Sequence, residues 1–221
     1  MGEIEIECEY QLPSVTKDSI LELSSLSTFR RTRADFRNII DVYLDTTQKR
    51  LLYAGAMYRF RNENGVCTVG YKRVRSHEGS KGIKDQVEIP VVPSSNFPFL
   101  RGKLDSRPYE LAKKIAAGDP FTLAFIVQNQ RTAISFCNPD VDGLIELALD
   151  DLVYNGPDQV MIRDQEMECE CKDVPENQFD RFVAALEDKF QLVRSRGNKY
   201  QRAMAAIYGI PIESIINQKP D

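Results

Sequence analysis

The 221-residue chain contains no tryptophan and a single histidine, His77. One histidine excludes a multi-histidine metal site and leaves no set of histidines for a His-based catalytic device. His77 lies in a Ser/Gly-rich stretch and is predicted to be a loop residue. The five cysteines form an odd set without the CxxC spacing of zinc or redox sites, so free thiols in the cytoplasm are expected.

Long apolar runs and a basic excess are also missing. No apolar run approaches the ~20 residues that span a bilayer. The first residues, MGEIEIECEY, are acidic and lack the basic and apolar regions of a signal peptide. The net charge of −4 gives no sign of a surface for nucleic acid. These absences predict a cytoplasmic protein with no membrane and no nucleic-acid polymer as partner, either a monomer or a homodimer.

What the chain does contain is strand-like sequence, with period-2 patterning or β-branched and aromatic enrichment between turn signals. The predicted strands are 3–10, 41–46, 56–62, 66–75, 84–92, 121–136, 144–150 and 164–172. Three helices are predicted at 16–27 with Thr16 as N-cap, at 107–117 after Ser106, and at 175–190.

Many strands and few helices in a chain of this length favour one closed or nearly closed antiparallel barrel. The fold class is therefore mainly β with flanking helices (α+β). We predict a single domain over 3–202 and a C-terminal tail over 203–221 that forms a short helix or coil.

On two predicted strands, all side chains of one face are acidic. Side chains alternate faces along a strand, so the four glutamates of Glu3–Glu9 share one side, opposite Ile4, Ile6, Cys8 and Tyr10. Glu166, Glu168 and Glu170 repeat this pattern. Same-face neighbours lie roughly 6.6–7 Å apart, so these carboxylates repel one another unless cations lie among them.

Other strands carry bases. Arg59 and Arg61 share one face, Lys72 shares a face with Gly70, Arg131 follows the apolar run of residues 121–130, and Lys199 follows the last predicted helix. A charged, solvent-facing side of a sheet is one interpretation, although such faces normally mix residue types so that cross-strand pairs attract. The other is a polar barrel interior, in which acids hold Mg²⁺ or Mn²⁺ and bases hold phosphate oxygens.

The motifs behind this pattern resemble those of the triphosphate tunnel metalloenzyme (CYTH) superfamily. The first strand, Glu5-x-Glu7-x-Glu9, is similar to the family's ExExK signature. DVYLDT at 41–46, the Arg59/Arg61 segment, TVGYKR at 68–73, KDQVEIP at 84–90, LALD at 147–150, MECEC at 167–171 and Asn198-Lys199-Tyr200 follow in the family's order.

The resemblance implies an eight-stranded antiparallel tunnel barrel with a charged interior that binds a triphosphate-containing small molecule. It assigns metal ligation to Glu5, Glu7, Glu168 and Glu170, with Asp150 assisting, and phosphate binding to Arg59, Arg61, Lys72, Arg131 and Lys199. It places Lys84 and Glu88 in catalytic positions, where Lys84 positions substrate or assists proton transfer.

Three residues depart from the family pattern: Glu9 replaces the signature lysine, Gln86 a glutamate, and Asn129 the lysine of a K-x-R strand. The expected function is metal-dependent hydrolysis of an inorganic or organic triphosphate. One alternative is a class IV-type adenylate cyclase that makes cyclic AMP from ATP. The three departures motivate another, a catalytically weak polyphosphate- or nucleotide-binding module.

Overall fold

The computed structural model describes residues 3–78, 81–91 and 106–217. The strands are β1 (Glu3–Gln11), β2 (Ser25–Leu26), β3 (Phe29–Thr46), β4 (Ala56–Glu63), β5 (Val66–Glu78), β6 (Lys81–Pro90), β7 (Phe121–Cys137), β8 (Leu144–Asn155), β9 (Met161–Lys172) and β10 (Val193–Arg194). The helices are α1 (Ser14–Leu21), α2 (Arg50–Tyr53), α3 (Arg107–Ala116), α4 (Glu176–Phe190), α5 (Lys199–Tyr208) and α6 (Ile212–Ile216), and a 3₁₀ turn covers Pro157–Gln159.

Eight antiparallel strands close into a barrel. The neighbours run in the order β1, β6, β5, β4, β3, β7, β8 and β9, and β9 pairs with β1 to complete the ring. The two short strands lie off it, β10 on β1 and β2 on β3. The predicted barrel is confirmed.

All eight predicted strands are present, and five of them extend at least three residues beyond a predicted end. β3 starts at Phe29 rather than at 41, and β8 continues to Asn155. β5 continues to Glu78, β6 starts at Lys81 and β9 starts at Met161. The prediction of a loop at His77 is wrong, since this residue lies in β5 opposite Gly82 of β6. Of the predicted strand 84–92, residue 92 lies outside the described residues.

The first helix was placed wrongly. α1 covers Ser14–Leu21 with Pro13 at its N-cap position, so Thr16 lies inside the helix, and Leu26 belongs to β2. The serines and threonine of residues 24–28 favour turns over helix because their hydroxyls compete for backbone hydrogen bonds. The short helix α2 was not predicted.

The two other predicted helices are confirmed. Ser106 caps α3 by accepting a hydrogen bond from the Tyr109 N–H, and α4 extends to Phe190 as expected.

Helices cover parts of the outer surface and one end of the barrel. α4 packs Phe179, Phe182 and Leu186 against the outward side chains of β1, β7, β8 and β9, whereas α3 lies on β4 and β5. α5 and α6 pack against a different set, which includes Tyr43, Val127 and Leu152. These three side chains lie on the same strand faces as Asp41, Arg131 and Asp150, so the C-terminal helices close one end of the interior with apolar groups.

The predicted tail therefore contains most of α5 and all of α6, and residues 218–221 lie outside the described residues. No helix in the described parts of the chain is long and apolar enough to cross a membrane.

Candidate functional site

A chamber of about 140 Å³ lies inside the barrel, and every described residue that lines it is polar or charged. Six are basic: Arg37, Arg59, Arg61, Lys72, Arg131 and Lys172. Six are acidic: Glu5, Glu63, Glu88, Glu146, Glu168 and Glu170. Gln86 completes the lining, and the described lining contains no aromatic side chain.

The acidic wall is built by the pairing of β1 with β9. In this antiparallel register Glu7 lies opposite Glu170 and Glu9 lies opposite Glu168. On the other side of β9, Glu170 faces Glu146 of β8. The outward residues of the same strands, such as Cys8 and Met167, are buried under α4. Apolar packing outside thus holds the two acidic strands together and directs their carboxylates inward.

The basic wall comes from β4, where alternation directs Arg59 and Arg61 inward. Arg61 donates to both carboxylate oxygens of Asp41 on β3, at 2.7 and 2.8 Å. Arg59 donates to Glu88 on β6 at 3.1 Å, and Thr68 donates to the same carboxylate at 2.8 Å. Two neighbouring guanidinium groups are therefore held in fixed orientations by buried or half-buried acids.

Bases and acids also meet across the chamber. The Lys72 ammonium donates to both oxygens of Glu5, at 2.5 and 2.7 Å. Arg131 donates to both oxygens of the buried Asp150, at 2.7 and 2.6 Å, and to Glu168 at 2.5 Å.

Lys199, the first residue of α5, reaches three acids from the closed end of the barrel. Its ammonium lies 2.7 Å from Asp150, 2.7 Å from Glu166 and 3.1 Å from Glu168. One helical turn later, Arg202 donates to Glu9 at 3.1 Å and also contacts Glu166. The N-terminal turn of α5 thus supplies two cations to the acids of β1, β8 and β9.

Lys84 lies outside the chamber, in a smaller pocket of about 70 Å³ that also includes Glu7, Glu9 and Asn198. Its ammonium contacts Glu7 and donates to Glu9 at 2.8 Å. Despite burial, Lys84 and Arg202 hold the pKa of Glu9 down to about 2.

The acidic side chains of the interior differ in how far neighbouring cations offset the cost of burying their charge. Burial, together with the neighbouring Glu5, raises the pKa of Glu170 to about 7. Glu168 is mostly buried as well, but Arg131 and Lys199 hold the pKa of its carboxyl well below the ordinary value. An added cation beside Glu170 would therefore relieve the repulsion that raises its pKa.

The donor set fits a hard divalent cation. Oxygens of Asp150, Glu166 and Glu168 lie within 4.8 Å of one another, and Glu7 and Glu170 face each other directly across the strands. Such all-oxygen sets suit Mg²⁺ and Mn²⁺. The thiols of β9 alternate with these glutamates and so point to the other face.

The structure brings the twelve predicted site residues into one interior. Eight line the chamber: Glu5, Arg59, Arg61, Lys72, Glu88, Arg131, Glu168 and Glu170. Glu7 and Lys84 line the smaller pocket, and Asp150 and Lys199 join each other beside Glu168.

Sequence reasoning missed several charged residues of this interior: Arg37, Asp41, Glu146 and Arg202. It placed Glu166 on the acidic face with Glu168 and Glu170 but gave it no role in the site. Arg202 lies one helical turn after Lys199 and could have been found. Arg37 lies in the part of β3 that was not predicted as strand.

A larger groove of about 920 Å³ lies on the opposite face of β7 and β8, beside Gln128, Gln130 and Asp151. None of the twelve predicted residues lines it.

A model of the CYTH domain matches residues 3–204. The chain belongs to the CYTH domain family. No curated protein matches the chain. This CYTH domain is similar in structure to the putative adenylyl cyclase HpAC1 from Hippeastrum, with a TM-score of 0.65 and 18% sequence identity over 91% of this chain and 95% of the other.

Two further solved structures share the fold of this CYTH domain. A putative adenylate cyclase from Bacillus halodurans has a TM-score of 0.64 and 21% identity, over 91% of this chain and 98% of the other. A protein from Pyrococcus horikoshii has a TM-score of 0.52 and 16% identity, over 89% and 95% of the two chains.

Proposed function

We propose that this CYTH domain hydrolyses a triphosphate with the help of Mg²⁺ or Mn²⁺. The observation that carries the proposal is the chamber itself, in which six bases and six acids converge within about 140 Å³. A metal-bound triphosphate needs both sets at once, because phosphate oxygens take up arginine and lysine donors while the metal takes up carboxylates.

Glu5, Glu168 and Glu170 would hold the metal in the chamber, with Glu7 and Asp150 beside them. When bound, the cation would supply positive charge that stabilises the phosphates and makes a water molecule more nucleophilic. The phosphates would be bound by Arg59, Arg61, Lys72 and Arg131. Lys199 would add a positive charge from the closed end of the barrel. Phosphoryl transfer depends mostly on such positioning and charge neutralisation.

Two residues are candidates for a role beyond binding. Glu88 is fixed by Arg59 and Thr68 at the chamber wall, where it orients the Arg59 guanidinium. Lys84 lies between Glu7 and Glu9 in the smaller pocket, and its role would be to position substrate or to assist proton transfer.

The size of the chamber favours hydrolysis over cyclisation. Pockets for drug-sized organic ligands measure about 300–1,000 Å³, so this chamber suits the phosphates rather than a whole nucleotide. A cyclase must also hold the ribose so that its hydroxyl attacks the α-phosphate, and the described lining offers no aromatic or apolar group for that purpose. HpAC1, which shares the fold, is described as having a dominant triphosphatase activity.

The decisive assay presents purified protein with tripolyphosphate, ATP and thiamine triphosphate, each with Mg²⁺, with Mn²⁺ or with EDTA. Metal-dependent release of phosphate supports the proposal. Pyrophosphate together with cyclic AMP would establish the cyclase instead, and tight binding without turnover would establish a binding module.

Two variants and one control make the assay specific to the site. Glu5→Gln and Glu168→Gln should each abolish metal-dependent turnover while the protein stays folded. Glu213→Gln, in an exposed ion pair on α6, should leave turnover unchanged. Full activity in both site variants would refute the proposed metal site.

A further inference from the structure

The side chains proposed to bind metal form hydrogen bonds with the side chains proposed to bind phosphate. Lys72 donates to both oxygens of Glu5, and Arg131 donates to Glu168 at 2.5 Å. Lys199 donates to the same glutamate at 3.1 Å. In each contact a candidate phosphate ligand occupies an oxygen of a candidate metal ligand.

The pairing of Lys72 with Glu5 is not imposed by neighbouring strands. Lys72 lies on β5 and Glu5 on β1, and β6 separates the two strands in the barrel. Both side chains are mostly buried, with 13% and 10% of their surfaces exposed. At such depth an ion pair is screened less than a surface pair, so separating it costs more.

The chamber contains another ion pair, Arg37–Glu146, that differs from Lys72–Glu5 in one respect. Arg37 donates to Glu146 at 2.8 Å, and both residues line the same chamber. Glu146, however, belongs to no proposed metal site. The pair Arg37–Glu146 is therefore a control of equal charge within the same cavity.

Resting on the proposed function, we infer that the Lys72–Glu5 pair couples the binding of divalent cation and triphosphate to each other. A cation that takes the oxygens of Glu5 releases the ammonium of Lys72 for phosphate. Triphosphate that takes Lys72 releases Glu5 for the cation. Each ligand alone must break the pair, whereas the second ligand finds it already broken, and by linkage the two binding free energies are coupled reciprocally.

The balanced chamber explains why such coupling is useful. With six acids against six bases among the described residues of its lining, it offers no large net field to either a lone cation or a lone anion. The complex of metal and triphosphate satisfies both sets together. The arrangement thus selects the complex over its two components.

The test measures each ligand alone by calorimetry. Mn²⁺ is titrated without tripolyphosphate, and tripolyphosphate is titrated in EDTA, where no turnover is expected. Lys72→Met should raise the affinity for Mn²⁺ by about tenfold or more and weaken tripolyphosphate binding. Glu5→Gln should do the opposite, with tighter tripolyphosphate and weaker Mn²⁺ binding.

The control variants Arg37→Met and Glu146→Gln distinguish the effect of breaking the Lys72–Glu5 pair from the effect of changing the charge of the chamber. They remove the same charges from the same chamber, so they should shift each affinity much less than the Lys72 and Glu5 variants do. Equal shifts in both pairs, or an unchanged Mn²⁺ affinity in Lys72→Met, would overturn the inference. Failure of the protein and all variants to bind tripolyphosphate would refute the proposed function instead, and the Mn²⁺ series would still decide whether Lys72 competes with metal. Thermal unfolding confirms that each variant is folded.

Discussion

Glu7 of β1 and Glu170 of β9 lie directly opposite each other in the barrel wall, although both are acidic. Like charges in this position destabilise a pair of strands. The pairing is nevertheless maintained because Lys84 contacts Glu7 and Lys172 contacts Glu170. The outward faces of the same strands also bury apolar side chains against α4, among them Cys8 and Met167. Packing outside the barrel thus adds to ion pairing inside it.

The raised pKa of Glu170 predicts a pH dependence of stability. In the folded protein its pKa is about 7 instead of the ordinary 4.5, chiefly because it is buried and then because Glu5 is near. Between these pH values the folded state binds more protons than the unfolded chain, so the Glu170 contribution to stability falls as the pH rises from about 4.5 to 7.

Glu170→Gln removes this titration. The thermal unfolding midpoint of Glu170→Gln, measured in EDTA at several pH values, should therefore rise relative to that of the original protein as the pH increases from about 4.5 to 7. Midpoint curves that stay parallel for the two proteins would show that Glu170 does not titrate there.

Asp150 and Asp151 are neighbours on β8 whose side chains face opposite ways, and they should respond differently to the same change. Asp150 is fully buried between Arg131 and Lys199, whereas Asp151 is 41% exposed and pairs with Lys17 on the outer face. Asp150→Asn replaces the carboxylate that accepts hydrogen bonds from both cations with a neutral amide, so it should lower the free energy of unfolding by about 3 kcal/mol.

Asp151→Asn should lower the free energy of unfolding by about 1 kcal/mol or less, since the carboxylate it replaces is partly exposed to water. Urea unfolding of the two variants checks this difference. Equal losses would mean that Glu166 and Glu168 suffice as partners of Arg131 and Lys199.

The alternation of charge in the sequence predicted the barrel interior well. A period-2 pattern fixes which residues of one strand share a face, so it placed Glu5 with Glu7 and Glu168 with Glu170. That the two pairs lie in one interior was implied by the resemblance to the CYTH family. Their placement beside arginines and lysines of other strands is what the barrel adds.

The first half of β3 could not be predicted in the same way. Residues 29–38, FRRTRADFRN, are charged and largely exposed, and they lack an apolar alternation. They form a strand because they pair with β7 along its length, from Arg30 opposite Cys137 to Thr46 opposite Phe121. This pairing is long-range, so no local pattern encodes it, and Arg37 was missed with it.

Tyr200 should anchor α5 to the barrel. Its hydroxyl donates to the buried Asp45 at 2.7 Å, and the same carboxylate accepts the N–H groups of Leu51 and Leu52. Tyr200→Phe should lower the free energy of unfolding by about 1.5–3 kcal/mol, the usual range for a hydrogen bond to a charged group. Because Lys199 precedes Tyr200, turnover of tripolyphosphate should fall as well.

Tyr208→Phe is the matched control at the other end of α5. Its hydroxyl donates to the carbonyl of Ala124 at 2.8 Å and involves no charge. A loss of about 1 kcal/mol without an effect on turnover is expected. An equal effect of the two variants on turnover would argue against a special role of Tyr200.

Gly70 lies on β5 between Arg59 of β4 and Glu88 of β6 in the same register row. A methyl group there would lie 3.2 Å from the Glu88 carboxylate and 3.6 Å from the Arg59 Nε. Gly70→Val adds two further methyl groups at this point and should displace the Arg59 guanidinium. Valine is a favourable strand residue, so the barrel should still form.

The loss of one charged hydrogen bond to phosphate, about 1.5–3 kcal/mol, corresponds to a weakening of tripolyphosphate binding by roughly 10- to 100-fold. Calorimetry in EDTA measures the affinity of Gly70→Val for tripolyphosphate. Gly82→Ala is the control, because its added methyl group would make only ordinary contacts, at 3.7 Å from Lys84, and should leave the affinity nearly unchanged. Normal binding by Gly70→Val would show that Arg59 does not hold the phosphates.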